Sequence, residues 1–318
     1  MLYITSILES FLGEYRKHNE DTGQISFDCP ACSADKGMPE GDGKGNLEVN
    51  YHKDVFKCWV CKDTNDMYGS VTRLIKRFGT PKNLKDYKLF KPELNDDDIK
   101  KPVYVTLPEG YKLLSECGPK DFKYNSAISY LSSRGITNDI IEKFDIGYTT
   151  RGKFFNRIII PSYDEQGNLN YFIARWFDKH YTDAKYLNPD VEKQTIIFNE
   201  DKINWDATIY LVEGATDHIV VPNSIPLLGK YISDILLDKI YERANANIVI
   251  LLDNDAYEDV RILHSRLNFG KLTGRIKVCH PPYGYDPSKI HEKWGRKGII
   301  RLLMRTKTLE EWEKIGFE

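Results

Sequence analysis

Cys29-Pro-Ala-Cys32 and Cys58-Trp-Val-Cys61 are two C-x2-C pairs separated by 25 residues. Four thiolates at that spacing suit tetrahedral Zn2+, and the segment between the pairs holds no evident catalytic base. Two disulfides would be the competing use, but a reducing compartment disfavours them. A closed structural zinc site is therefore expected at Cys29, Cys32, Cys58 and Cys61. His52 is left outside it because four thiolates already satisfy the metal. Lys53, Phe56, Lys57, Trp59 and Lys62 surround the second pair. This mixture suits stacking on bases and pairing with phosphates, and it equally suits the core of a small ribbon. The remaining cysteines, Cys117 and Cys279, read as small hydrophobes.

Carboxylates form the second chemical signal. Ile209 to Val212 runs into Glu213-Gly214, and Ile248 to Leu252 runs into Asp253-Asn254-Asp255. Carboxyl ends of parallel strands are where open α/β sheets bind ligands, so Glu213, Asp253 and Asp255 are expected to share one crevice. Residues two apart in an extended segment point the same way, which pairs Asp253 with Asp255. Carboxylates without His or Cys are hard ligands suited to Mg2+ or Mn2+, ions that polarise phosphoryl groups. Asp217 and Asp286 could enlarge the set, although Asp217 also suits a helix cap and Asp286-Pro287 a turn opener.

The elements that must position these residues follow from periodicity. Apolar runs at 208–212, 225–228, 247–252 and 275–279 alternate with helical patterns at 215–221, 233–243 and 257–269. A parallel α/β sheet covered on both faces is the economical reading. Upstream, 126–131 and 138–144 read as short helices, and 157–160 and 169–176 as strands joined through a turn at 164–168. Val71, Leu74, Ile75 and Phe78 have helical spacing, with Gly79 as C-cap and Pro81 as stop. The fold class is thus α/β, α+β overall. The expected divisions are a zinc module at 1–80, a polar linker at 81–110 centred on the acidic run 95–98, an α+β unit at 111–205, the parallel-sheet unit at 206–296, and a helical tail at 297–318.

The chain has 318 residues, 41% hydrophobic, with 45 Lys+Arg against 47 Asp+Glu. That length accommodates two or three domains with cores. No apolar run reaches the ~18 residues of a membrane helix and no signal layout opens the chain, so a cytoplasmic protein without membrane association is expected. Net charge gives no hint of nucleic acid. Locally, however, Lys289, Lys293, Arg296, Lys297, Arg301, Arg305 and Lys307 face only Asp286 and Glu292 between 286 and 307. Such a run is ordinarily a solvated helix face.

Taken together, the motifs resemble the DnaG-type DNA primases of bacteria and their phages. The resemblance rests on the cysteine pairs; on Tyr130-Leu131-Ser132-Ser133-Arg134-Gly135-Ile136, Phe144-Asp145-Ile146-Gly147-Tyr148 and Asn156-Arg157-Ile158-Ile159-Ile160-Pro161; on Lys185-Tyr186-Leu187-Asn188; and on Val212-Glu213-Gly214-Ala215-Thr216-Asp217, Leu252-Asp253-Asn254-Asp255 and Tyr285-Asp286-Pro287. It spans from about Ile7 to Ile290. It implies a zinc-binding domain followed by an RNA-polymerase domain with a Toprim subdomain, making short RNA primers on single-stranded DNA from ribonucleoside triphosphates. Glu213, Asp253 and Asp255 would be catalytic and hold Mg2+ or Mn2+, with Asp217 and Asp286 in support; Glu213 would be a proton acceptor or only a ligand. Arg157, Arg175, Lys185, Tyr186 and Asn188 would contact nucleotide or nucleic acid, with Trp59 on the zinc module. Tyr171 to Ala174 replace the family's glycine-rich stretch before Arg175, and Cys32 stands where many bacterial members have His. The chain ends soon after the Toprim-like unit, which suits a phage-like stand-alone form with a separate replicative helicase as partner. A Toprim-type nuclease and a non-catalytic zinc-containing DNA-binding adaptor are the alternative functions.

Overall fold

The computed structural model describes residues 2–38, 43–62, 67–90, 104–178, 184–229, 231–268 and 270–314. Two compact units divide the chain, residues 1–101 with 268–273 in one and 102–267 with 274–318 in the other.

The first unit is an antiparallel ribbon of five strands in sequential order, β1 (Lys17–Asn19), β2 (Gln24–Phe27), β3 (Leu47–Asn50), β4 (Val55–Cys58) and β5 (Tyr68–Ser70). Alternation builds its core: Ile25 and Phe27, Leu47 and Val49, and Phe56 and Cys58 are all buried, two apart on neighbouring strands. Among the described residues, the α-helices that accompany the ribbon are α1 (Leu2–Leu12), α2 (Pro30–Asp35), α3 (Val71–Phe78) and α4 (Pro81–Phe90). The hydroxyl of Ser70 caps α3 by accepting from the Arg73 N–H at 3.2 Å, and Val71, Leu74 and Ile75 are fully buried. Gly79 is its C-cap as the spacing predicts.

The linker reading needs correction at its start. Residues 81–90 are α4, which packs on α1 and α3. Pro81 opens this helix, a position where its missing N–H costs nothing. Tyr87 is fully buried and donates to the Asp54 carboxylate at 3.0 Å. The polar composition of 81–90 conceals a helix anchored by the Tyr87 ring, with Leu84 packed beside the same core. The acidic run at 95–98 lies outside the described residues.

The second unit contains two sheets. The first is antiparallel in the order β6 (Tyr111–Leu113), β7 (Gly147–Thr149), β8 (Arg157–Tyr163) and β9 (Leu169–Trp176), with α5 (Tyr124–Ser133) and α6 (Asn138–Lys143) between β6 and β7. The expected turn from β8 to β9 is held by Asp164, whose Oδ1 accepts from the N–H groups of Gln166 and Asn168. At Gly147 a Cβ would approach the Lys112 carbonyl oxygen to 2.5 Å, so β7 can pair with β6 only because the residue is glycine.

The second sheet is parallel, in the order β11 (Ser224–Pro226), β10 (Ile209–Val212), β12 (Ile248–Leu251) and β13 (Ile276–Val278). Helices α7 (Ala215–His218), α8 (Asp234–Arg243) and α9 (Tyr257–Leu267) make the crossovers, and α10 (Pro287–Leu303) and α11 (Leu309–Lys314) follow. The four residues of β12 are buried, as a strand covered on both faces requires. The tail expected to begin at 297 does not: α10 crosses that boundary, bending at Gly295 (φ 60°, ψ −160°).

His218, at the end of α7, is buried between Phe144 and Phe198, each in edge contact with its ring. Its ring nitrogens face Asn199 at 3.2 Å and the Ser224 carbonyl at 3.0 Å. Burial pushes its pKa down to about 3. An unfolded imidazole takes up a proton near pH 6.5, whereas this one does not, so its contribution to stability is complete above pH 6.5 and is lost as the pH falls toward 3. The slope is about 1.4 kcal/mol per pH unit at most. Chemical denaturation of the wild type and of His218→Gln should show that slope removed by the substitution between pH 6 and about 4; parallel curves would contradict it.

Candidate functional site

The four cysteines converge from two local structures. Cys29 precedes α2, with Pro30 at its first position, and Cys32 lies within that helix; Cys58 ends β4 and Cys61 follows in a turn. The four Sγ atoms lie within 4.8 Å of one another, with Cys29 to Cys61 at 3.5 Å and Cys32 to Cys58 at 3.7 Å. Four sulfurs about 2.3 Å from a tetrahedral centre are about 3.8 Å apart, so the set fits Zn2+. Burial pushes the Cys29 thiol up to about 12 and the Cys61 thiol higher still. Burial acts likewise on Cys58, but N–H groups of Cys61 and Val60 aimed at its sulfur outweigh it and hold that thiol below its usual value. A buried cluster with such donors is complementary to a dication and costly for bare thiolates. Trp59 is 58% exposed beside this site, with the Lys57 ammonium 4.2 Å from its ring. The ribbon-core option for Trp59 is thereby set aside.

In the parallel sheet, β10 pairs with both β11 and β12, and Val212 stands opposite Leu251. The crossover from β10 leads to one side and that from β12 to the other, which makes the gap between their carboxyl ends the switch point of the sheet. Glu213 and Asp253 leave the sheet there. Asp217, only 6% exposed, accepts from the Ser288 N–H at 3.0 Å and is thereby tied to the start of α10. Asp286 caps that helix, accepting from the Lys289 N–H at 2.7 Å and the Ser288 hydroxyl at 2.9 Å, with the Lys289 ammonium 3.0 Å away.

These carboxylates feel one another. Burial, then the charges of Asp286 and Asp253, push Asp217 up to about 7. Burial, then Asp286 and Asp255, raise Asp253. Burial also opposes ionisation of Asp286, but the donors from Lys289 and Ser288 prevail and hold it below the usual carboxylate range. Asp255 is exposed at the rim. Among the described residues, the four cysteines are the one metal-sized group of His, Cys, Asp or Glu ligand atoms; the acids do not close into a shell. An open set suits a hydrated Mg2+, which keeps several waters and completes its octahedron with substrate phosphates.

The expected basic residues fall on β8, β9 and the segment after β9. Trp176 donates to the Lys185 carbonyl and Leu187 to that of Ala174, so 185–187 lies alongside β9. Lys185 is exposed, and the charge of Arg175, then burial, lower its pKa; Arg134, Asp286 and Lys289 also act on it. It therefore stands between the basic strand and the carboxylates. Arg175 is 8% exposed, hydrogen-bonded to the Tyr186 hydroxyl and placed over the rings of Tyr186 and Tyr130. Two residues expected to touch nucleotide are engaged within the protein. Arg157 is 4% exposed, its guanidinium donating to the carbonyls of Ala184 and Lys185, and Asn188 accepts from the Ala174 N–H at 3.3 Å. Both hold the strand that presents Lys185 and Tyr186.

Arg134 and Lys289 are neighbours of the site that sequence reasoning does not place there. In the sequence Arg134 belongs to the Tyr130–Ile136 motif without a role of its own, and in the structure it ends α5 at a turn. Gly135 in that turn has φ +72°, and a Cβ on it would stand 3.1 Å from Glu292 Cα, so the turn lies against α10. The Arg134 guanidinium reaches Glu292 at 3.7 Å.

No family model matches the chain. A DNA primase of Lactococcus lactis is 22% identical over 320 residues, covering 83% of this chain and 49% of that protein, and one of Clostridium acetobutylicum is 24% identical over 311 residues, covering 81% of this chain and 51% of that protein. The chain spans about half the length of these curated relatives. Among solved structures, the zinc-binding and RNA-polymerase domains of Aquifex aeolicus primase align with 98% of this chain and 84% of theirs, at a TM-score of 0.50 and 20% identity. A DnaG catalytic domain bound to single-stranded DNA aligns with 62% of this chain and 77% of its own, at a TM-score of 0.51 and 19% identity. The chain has the fold of the DnaG-type primases, and DNA primases are its relatives in sequence.

Elemental analysis of the purified chain should give one zinc per molecule. Cys58→Ser should lose that zinc and with it the folding of the first unit, since structural zinc supplies on the order of 10 kcal/mol to such modules. Full metal-free stability would contradict the assignment.

Proposed function

We propose that the chain is a DNA-dependent RNA polymerase that makes short primers on single-stranded DNA from ribonucleoside triphosphates. The observation that carries this reading is the meeting of opposites in the second unit: Asp286, whose charge acts on Asp217 and Asp253 beside the switch point of the parallel sheet, also acts on Lys185, on the segment beside Arg175. Phosphoryl transfer needs both signs together, anionic ligands for cations and cations for the phosphates they bridge. Primase relatives, and a solved DnaG domain with single-stranded DNA bound, support the same reading.

Glu213, Asp253 and Asp255 would hold Mg2+ or Mn2+, with Asp217 and Asp286 beside them. The ions, when bound, supply charge that neutralises the triphosphate and lowers the pKa of the attacking 3′-hydroxyl. Lys185 would pair with phosphates, Tyr186 would present its ring to a base, Arg175 would add its charge from beneath them, and Arg157 and Asn188 would keep that strand in place. Asp286, held ionised by Lys289 and Ser288, keeps a fixed negative charge beside Asp217. Glu213, at the end of β10, is the candidate to accept the hydroxyl proton. In the first unit, zinc would hold the turn that displays the exposed Trp59 beside the half-buried Lys57 of β4, and this pair would help select the template start site. The described residues include no helix long and apolar enough to cross a membrane. We place the protein in the cytoplasm, served by a separate replicative helicase.

Purified protein, single-stranded DNA, labelled ribonucleotides and Mg2+ or Mn2+ test the reading. Template-dependent oligoribonucleotides are expected, reduced at least about a hundredfold in Asp253→Ala, since the missing ligand removes transition-state charge stabilisation. Shortened DNA without RNA product would replace the primase with a nuclease, and DNA binding without either product would leave the zinc-containing adaptor. Arg157→Ala should impair synthesis through a raised KM for nucleotide, because its absence loosens Lys185 without removing it.

A further inference from the structure

Helix α10 carries most of the basic run, and its structure separates that run from an ordinary solvated face. Its two acids are engaged: Asp286 pairs with Lys289 at 3.0 Å and Glu292 with Arg134 at 3.7 Å. Lys293, Arg296, Lys297, Arg301 and Arg305 are exposed, and among the described residues none has a carboxylate within ion-pair distance. Aromatic groups interleave with these charges. Tyr283 is 91% exposed and Trp294 44%. The Tyr285 and Trp294 rings lie 5.1 Å apart, with the Lys293 ammonium 4.7 Å from the Trp294 ring and bonded to the Tyr285 hydroxyl at 2.7 Å. Beyond them, Trp294, Arg301 and Arg305 line one shallow groove of about 170 Å3, floored by Ile290, Gly298 and Leu302. Gly298 leaves room beside the indole, since a Cβ there would meet Trp294 Cβ at 2.7 Å.

We infer that this face of α10 is a second binding track for single-stranded DNA, leading away from the carboxylate site at Asp286 through Tyr285 and Trp294 to Arg301 and Arg305. Exposed rings flanked by unneutralised cations are the combination that holds single strands, rings stacking on bases while cations follow the phosphates. Duplex DNA offers no unstacked base to Trp294, so the track discriminates against it. The proposal rests on the polymerase reading for its direction, because the track starts where template must pass the carboxylates. It adds a surface separate from Lys185 and Tyr186.

Fluorescence anisotropy of a short labelled oligothymidylate with the full chain tests it. Trp294→Ala and the double variant Arg301→Ala/Arg305→Ala should each weaken binding about tenfold. The double variant should also lower the salt slope by about 1.4, which is about 0.7 for each single-strand phosphate that the variant no longer neutralises. Trp294→Phe should restore most of the affinity, and Trp294→Ala should leave the binding of a matched duplex unchanged. Unchanged affinity and slope in both variants would overturn the track, as would an equal weakening of duplex binding by Trp294→Ala. If Trp294→Ala fails to fold, the arginine pair, which is exposed, decides alone. Asp253→Asn separates this from the polymerase reading: it should bind the oligonucleotide like wild type while making no RNA. A wild type that makes no RNA would sink the polymerase reading and leave the binding comparison to judge the track.

Discussion

Carboxylates buried near one another are the constraint on which the second unit depends. Burial above all, then the charges of Asp286 and Asp253, push Asp217 up to about 7, so its setting resists another negative charge. Moving a carboxyl from about 4 to about 7 corresponds to about 4 kcal/mol against the ionised form. The fold sustains this arrangement by rigid means. β10 and β12 pair side by side, so their carboxyl ends cannot separate, and the Ser288 N–H and the Asp286 cap draw α10 against α7. A cluster held at such a cost is complementary to cations and strained without them.

The first unit uses the same logic with softer ligands. Four sulfurs are pressed within 4.8 Å of one another in a buried setting that disfavours thiolate at Cys29 and Cys61, while backbone N–H groups favour it at Cys58. The first unit thus favours a charge that the polypeptide itself does not supply, and the proposed cations would play that part in the second. Opposite charge is handled differently. Arg157 and Arg175 are nearly buried, and carbonyl oxygens and aromatic rings accept them, which leaves Lys185 as the exposed cation of that strand.

Much of this is legible in the sequence. The cysteine spacing names the ligands of the first site, because C-x2-C geometry is local and needs no tertiary knowledge. The strand that ends in an acid, found at Glu213 and again at Asp253, indicates the sheet and its binding end together, since alternating β and α periods restrict the topology to a few forms. What stays hidden depends on long-range packing. Helix α4 is obscured because only Tyr87 and Leu84 are apolar residues shown packing on the core and most of its other residues are polar. Arg157 and Asn188 have the composition of nucleic-acid contacts, yet neighbouring carbonyl and N–H groups use them as braces. Arg134 and Lys289 sit far apart in the chain: Lys289 reaches Asp286 across one helical turn, and only the approach of the Gly135 turn to α10 brings Arg134 beside them.

Thermal unfolding of the second unit's transition, with and without Mn2+, in wild type and Asp253→Asn, tests the central claim most directly. If the carboxylates form a strained cation site, neutralising Asp253 should raise the metal-free midpoint by relieving repulsion. It should also abolish most of the metal-dependent rise seen in wild type, which is worth about 3 kcal/mol at a hundredfold excess over Kd. A lower metal-free midpoint in Asp253→Asn, together with an undiminished response to Mn2+, would contradict the account.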